Sequence, residues 1–281
     1  MQEIEIMSPA GSFDALMAAI QGGAGSVYFG AGQLNMRARS SSNFSPDDIR
    51  HITEICREHG VKSYLTLNTI IYDEELPLMR EMVDLAKESG VSAIIASDLS
   101  VLEYARSRGV EIHISTQCNI TNIEAVKFYA KYADVMVLAR ELNIGQMEGI
   151  TRAIREERIT GPKGELVQIE VFVHGALCMA VSGKCYISLD NFNSSANRGA
   201  CMQPCRRAYH VKDVDNQIEL EVDNKYIMSP KDLMTLPILD RLLDAGVTVL
   251  KIEGRGRSAE YVKTVTRSEE HTSELQSPNT I

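Results

Sequence analysis

Short apolar runs and amphipathic stretches alternate along this chain. The runs fall at 3–11, 26–32, 61–68, 91–98, 110–117, 134–141, 168–175 and 247–254, and most are rich in Val and Ile. Each ends in polar residues or glycine, so each reads as a buried strand. Between them, apolar positions recur at helical spacing over 13–23, 45–60, 74–90, 99–109, 122–133 and 233–246. Ser45, Pro46, Asp47 and Asp48 open one of these stretches and Gly60 closes it, which are the marks of a helix start and stop.

Apolar strands joined by helices require a parallel sheet covered on both faces. Eight strand–helix units in a chain of 281 residues predict an α/β fold, a (β/α)8 TIM-barrel-like domain. A doubly wound open sheet is the alternative. No G-x-G-x-x-G fingerprint follows the first strand, however, and the glycines at 22, 23 and 25 precede a strand, so they read as a helix C-cap. The pattern breaks once. Residues 176–225 read as a cysteine-rich insertion leaving the C-terminal end of the seventh strand, the face on which barrels build active sites.

Composition adds limits. Hydrophobic residues make up 44% and charged residues 24%, as in a soluble globule. No apolar run approaches the ~20 residues needed to cross a bilayer. The start, MQEIEIMSPAG, has no basic segment and no long apolar stretch. The chain is therefore expected in the cytoplasm, away from membranes, where thiols stay reduced. A net charge of −9 disfavours a protein whose main task is to coat nucleic-acid phosphates. The short basic runs CRR (205–207) and GRGR (254–257) read as solvated surface arginines.

The last residues, RSEEHTSELQSPNTI at 267–281, are polar and aperiodic. Arg267 to Ser277 match a one-frame translation of a common DNA sequencing adapter. The expectation is a native catalytic domain over 1–266, a gene truncated there, and a non-native tail that takes no part in fold reasoning.

Six cysteines remain. Cys56 lies on the apolar face of a helix and reads as a small core residue, while Cys118 stands apart. Cys178, Cys185, Cys201 and Cys205 cluster in the insertion. Only Cys201 and Cys205 have the knuckle spacing of structural zinc sites. Iron–sulfur sites accept more varied spacings. Gly175, Gly183 and Gly199 let the backbone fold tightly around a metal group, and Pro204 fixes the chain before Cys205. Spacing favours metal and leaves zinc and iron–sulfur open. No single cysteine stands out as a nucleophile.

The stretch EVFVHGALCMAVSGKCYIS (170–188) resembles the signature of the U-thirty-two peptidase family, the collagenase-like peptidases. The matching positions are Glu170, Phe172, Gly175, Cys178, Gly183, Cys185 and Ser188. NRGACMQPCRR (197–207), YIMSPKDL (226–233) and VLKIEGR (249–255) also resemble family segments. The resemblance spans 1 to about 266 and implies a barrel-like N-terminal part with further sequence beyond. It also implies an oxygen-sensitive 4Fe–4S cluster held by Cys178, Cys185, Cys201 and Cys205, with Cys205 the ligand that varies among relatives. Its implied activities are hydroxylations: 5-hydroxyuridine at the tRNA wobble position with prephenate as hydroxyl source, a ribosomal RNA cytidine, or a quinone precursor. The tRNA surface would then lie partly in the missing C-terminal region.

A peptidase is the alternative within the same family. The chain has neither H-E-x-x-H nor G-x-S-x-G. Cys178 and His174 lie four apart and would meet on one turn as a dyad, but a thiolate bound to iron is not a free nucleophile. Polar groups expected at the strand ends are Asn68, Gln117, Arg140, Glu141, His174, Lys231, Glu253 and Arg255. Lys231, Arg140 and Arg255 suit a small carboxylate co-substrate or phosphate, and Glu253 suits acid/base work. Asn68, Gln117 and Glu141 would hold substrate. His174 is a further catalytic candidate that also reads as a hydrogen-bonded histidine beside the cluster.

Overall fold

The computed structural model describes residues 4–38, 43–212, 214–215, 219–222, 228 and 231–276. In chain order the elements begin β1 (Glu5–Pro9), α1 (Phe13–Gln21), β2 (Ser26–Phe29), α2 (Asp48–Glu58), β3 (Lys62–Leu67) and α3 (Leu76–Ser89). They continue with β4 (Ala93–Ala96), α4 (Leu99–Ser107), β5 (Ile112–Ile114), α5 (Ile123–Tyr129), β6 (Val135–Val137), α6 (Ile144–Glu156) and β7 (Gln168–Gly175). After β7 come α7 (Tyr186–Phe192), β8 (Tyr209–Lys212), β9 (Glu219–Val222), β10 (Leu233–Met234), α8 (Leu239–Asp244), β11 (Val249–Ile252) and α9 (Ala259–Gln276).

Strands β1 to β7 pair in sequence, all parallel. β11 then bridges β7 and β1, with Val249 opposite Glu170 on one side and Glu5 on the other. The ring is a closed eight-stranded parallel barrel. The open-sheet alternative falls because β1 has no free edge. All eight expected strands are present. β10 is a two-residue antiparallel addition to β7, and β8 and β9 form a separate hairpin.

Strand side chains alternate between two cores. Met7, Tyr28, Tyr64, Ala93, Ile95, Val135 and Val249 pack inside the barrel. Leu16, Phe29, Ile49, Leu65, Leu102 and Ile112 belong to the larger core between barrel and helices. Cys56 sits in that outer core, where burial pushes its thiol up to about 12.

Three local expectations change. The helix expected from Ser45 begins at Asp48, because the Ser45 N–H and hydroxyl both donate to the Asp48 carboxylate, at 2.8 and 2.7 Å. The helix expected over 233–246 shrinks to α8, because Leu233 and Met234 pair with Gly175 and His174 of β7. α6 was hidden by Gly145 and Gly149, although Asn143 and Gln146 form a capping box at its start.

α9 packs along α1. Thr266 Oγ1 lies 2.7 Å from Ser8 Oγ, and Val262 and Val265 are buried. The helix continues into the adapter-like stretch, where Glu269 is fully buried. Residues 277–281 lie outside the described residues. Among the described residues, no helix is long and apolar enough to cross a membrane.

Candidate active site

The C-terminal ends of the strands surround a cavity of about 150 Å³. Its floor is the upper interior of the barrel. Lys251 of β11 donates to Glu170 of β7 at 2.6 Å, and both are buried. The Lys251 ammonium lies 4.6 Å from the Tyr28 ring centroid and 5.5 Å from that of Phe172. The second Glu170 oxygen, Oε2, is buried with no hydrogen-bond partner among the described residues.

The wall above is built from charged pairs. Arg37 donates to Glu253 at 2.9 Å. Tyr28 donates to the Ile252 carbonyl at 2.9 Å, with Glu253 Oε2 at 3.5 Å. Burial pushes the Glu253 carboxyl up, but Arg37, Arg140 and Arg255 together hold it below the usual carboxylate range. Such a group stays ionised, so it suits a base or a counter-charge rather than a proton donor. Burial, reinforced by the Glu253 charge, pushes the Tyr28 phenol well above its ordinary range. Arg255 is buried and donates to Asn35 at 3.2 Å and Thr66 at 3.0 Å. The surface reading of GRGR therefore fails for Arg255. Arg257 is more exposed and pairs with Asp232. Arg140 lies 4.4 Å over the Phe172 ring, and its Nε is buried without a hydrogen-bond partner among the described residues.

On the opposite side, Asn68 donates to Ser115 and Gln117, at 3.2 Å each, and accepts from the Met36 N–H at 3.3 Å. Asn68, Gln117, Arg140, Glu253 and Arg255 thus meet at one cavity, as expected from their strand-end positions. Glu141 and Lys231 are exposed and outside its lining. His174 lies on a strand, so the helical-turn dyad with Cys178 does not form. Its Nδ1 is 3.3 Å from Glu269, and it stands outside the cavity lining.

The sequence reading missed Tyr28, Arg37, Thr66, Lys251 and Gln203 and gave Phe172 only as a signature position; all six line the cavity. Two signals were available. Lys251 and Glu170 each interrupt an apolar strand, and a charge at such a position must face a partner or a ligand. Arg37 and Gln203 sit on loops and carry no periodic signal.

The roof is the segment after β7. Cys178, Cys185, Cys201 and Cys205 all line the cavity as free thiols. Burial raises the Cys205 thiol; Arg206 opposes this, and the other three cysteines add to it, so the four sulfurs share one field. Left-handed backbone shapes the segment. Gly199, at φ 74°, passes so close to the Asn35 carbonyl that a Cβ would collide with it. Gln203, at φ 51°, stands immediately before Pro204, a position where extended backbone is normal. Strain of this kind costs roughly 1–3 kcal/mol and persists only where the surroundings impose it.

Among the described residues, no three His, Cys, Asp or Glu side chains gather tightly enough for one metal ion. A zinc ion needs its sulfurs about 2.3 Å from a common centre. A four-iron cube binds its thiolates at separate corners and so holds them further apart. Four thiols line this one cavity, and they are the chain's candidate donor set for a bound metal group.

Fold and site together define a (β/α)8 barrel with a thiol-ringed, cationic cavity at its C-terminal end. The chain belongs to peptidase family U32, whose sequence model matches residues 11–272. It is 59% identical to a collagenase of Porphyromonas gingivalis over 95% of its own length and 64% of the collagenase. It is 39% identical to the 23S rRNA 5-hydroxycytidine C2501 synthase of Escherichia coli, over 94% of this chain and 38% of the synthase. It is 32% identical to tRNA hydroxylation protein P1 of Bacillus subtilis, over 93% of this chain and 61% of that protein. The chain thus spans less than two thirds of these relatives. A solved U32 peptidase superposes with a TM-score of 0.57 at 11% identity, covering 90% of this chain and 94% of that one, which supports the barrel alone.

Proposed function

We propose that this chain is the barrel part of an iron–sulfur-dependent RNA hydroxylase, acting on the wobble uridine of tRNA with prephenate as hydroxyl source. The observation that carries the reading is the placement of all four clustered thiols around one cationic cavity. Cys178, Cys185, Cys201 and Cys205 would hold a 4Fe–4S cluster, which supplies one-electron chemistry that side chains lack.

The chain's own residues prepare the rest. Arg37, Arg140, Lys251 and Arg255 outnumber the carboxylates Glu170 and Glu253, so the cavity favours an anion such as a small dicarboxylate. Arg37 and Arg255 are already bonded within the protein. Arg140 Nε is a buried donor with no partner among the described residues, and Arg140 is the grip assigned to a ligand carboxylate. Glu253 remains ionised and can accept a proton at its carboxylate oxygens. Asn68, Ser115 and Gln117 form a fixed amide–hydroxyl wall that orients a polar ring.

The collagenase relative, at 59% identity, favours a second reading, peptide hydrolysis. Nucleoside mass spectrometry separates the two. The gene is expressed anaerobically in an Escherichia coli strain lacking its tRNA hydroxylation protein P, and in one lacking the 23S rRNA synthase. Restored 5-hydroxyuridine in tRNA is the expected result. Restored hydroxycytidine in ribosomal RNA would move the substrate, and gelatin cleavage with neither nucleoside would overturn the proposal.

A further inference from the structure

The cysteine-bearing segment has an outer face as well as the inner one that roofs the cavity. Met179, Tyr186, Leu189, Phe192 and Met202 stand exposed on it, with Tyr186 77% exposed. The loop after β3 extends the same face. The Ile70 N–H donates to the Asn197 carbonyl at 3.1 Å, and Arg198 binds Glu75 while lying 3.9 Å from the Tyr72 ring centroid. Tyr72 is 50% exposed. Arg207 lies 4.6 Å over the Phe192 ring.

Charge follows the same boundary. Between 176 and 207, Lys184, Arg198, Arg206 and Arg207 stand against a single acid, Asp190, in a chain of net charge −9. The hairpin that follows turns acidic, with Asp215, Glu219 and Glu221. Within the cysteine-bearing loops positive charge thus outweighs negative. Arg198 is paired with Glu75 and Arg206 donates to the Leu177 carbonyl, which leaves Lys184 and Arg207 on the outer face, while Asp73, Glu74 and Glu75 mark its border at the β3 loop.

Exposed rings, guanidinium groups stacked on them and local positive charge form the pattern that takes unpaired bases and their phosphates. A two-fold dimer through this face would set its positive charge against itself. We infer that this outer face docks single-stranded RNA, with Tyr186 as the stacking platform and Lys184 and Arg207 as phosphate contacts. The inference rests on the RNA-hydroxylase reading and locates its substrate. Tyr186 directly follows Cys185, and Arg207 directly follows Arg206, and both preceding residues line the cavity. A base stacked on Tyr186 is therefore held beside the opening over the thiols.

The test is fluorescence anisotropy with a short labelled single-stranded RNA and a duplex of the same sequence, for wild type, Tyr186→Ala and Arg207→Glu. Iron content and circular dichroism confirm that each variant is folded. Preference for the single strand, an about tenfold loss in Tyr186→Ala, and a loss in Arg207→Glu that shrinks as salt rises are expected. Equal binding by all three proteins would overturn the dock. So would self-association seen in sedimentation that both variants abolish while leaving RNA binding intact. The functional reading fails separately: RNA bound through Tyr186 with no hydroxylated nucleoside would leave the dock standing. Hydroxylation at wild-type rates in both variants would sink the dock and leave the function.

Discussion

The two ends of the barrel hold similar kinds of residue in opposite states. At the N-terminal end Glu5 accepts from Ser26 at 2.7 Å, Tyr64 at 2.8 Å and Lys62, so its carboxylate is fully engaged. The Tyr64 ring packs 4.5 Å from His113, and together they plug the barrel, with His113 Nδ1 buried and unpartnered among the described residues. At the C-terminal end, charged groups exceed the partners the chain supplies. Glu170 Oε2 and Arg140 Nε are buried and unmatched among the described residues, and cations outnumber carboxylates. A satisfied carboxylate such as Glu5 contributes rigidity, whereas unmatched charged groups are tolerated where a ligand completes them. The first end is built for stability and the second for chemistry.

The largest expected effect lies at the floor of the open end. Lys251→Met leaves Glu170 charged and buried without its partner, and should cost about 3–5 kcal/mol in urea unfolding. Replacing both, as Lys251→Met with Glu170→Leu, should recover most of that loss. If the single variant unfolds like wild type, the pair is not the buried anchor described here.

Next comes the closed end. Glu5→Gln should cost about 1–3 kcal/mol and leave the iron content unchanged. The pH dependence has a defined sign. Burial pushes the Glu5 carboxyl up, but Lys62, Ser26 and Tyr64 outweigh it, so its folded pKa lies below the ordinary 4.5. Its stabilisation is therefore complete above 4.5 and is lost as pH falls through the folded value. The gap between wild type and Glu5→Gln should be flat from pH 6 to 8 and close in acid. A gap that widened below pH 4.5 would contradict the plug.

The smallest effect on stability separates the two ends most sharply. Arg140→Gln should cost about 0.5–1 kcal/mol, less than either variant above, through loss of the cation over the Phe172 ring. It should weaken binding of a small dicarboxylate by about tenfold or more, measured calorimetrically. Equal dicarboxylate affinity would remove Arg140 from the site.

These contrasts also explain what the sequence disclosed. Strand positions were legible because Val- and Ile-rich runs are bounded by glycine and polar residues, and barrel closure followed from their number. Asn68, Gln117, Arg140, Glu253 and Arg255 were legible because strand ends aim residues at the barrel mouth. Lys251 was overlooked and Glu170 figured only as a signature position, although each breaks an apolar run, since their meaning depends on β11 pairing with β7, far apart in sequence. Arg37 and Gln203 depend on loop conformation, which has no period. Net charge is an average as well: the value of −9 combines a basic cysteine-bearing segment with an acidic remainder.

The most direct test of the account is iron and acid-labile sulfide per chain after strictly anaerobic purification, for wild type and Cys201→Ser. About four of each in wild type, lost in the variant, is the predicted result. Stoichiometric zinc, or a folded protein with neither metal nor sulfide, would contradict the central claim that the four thiols make the open end of this barrel a cluster site.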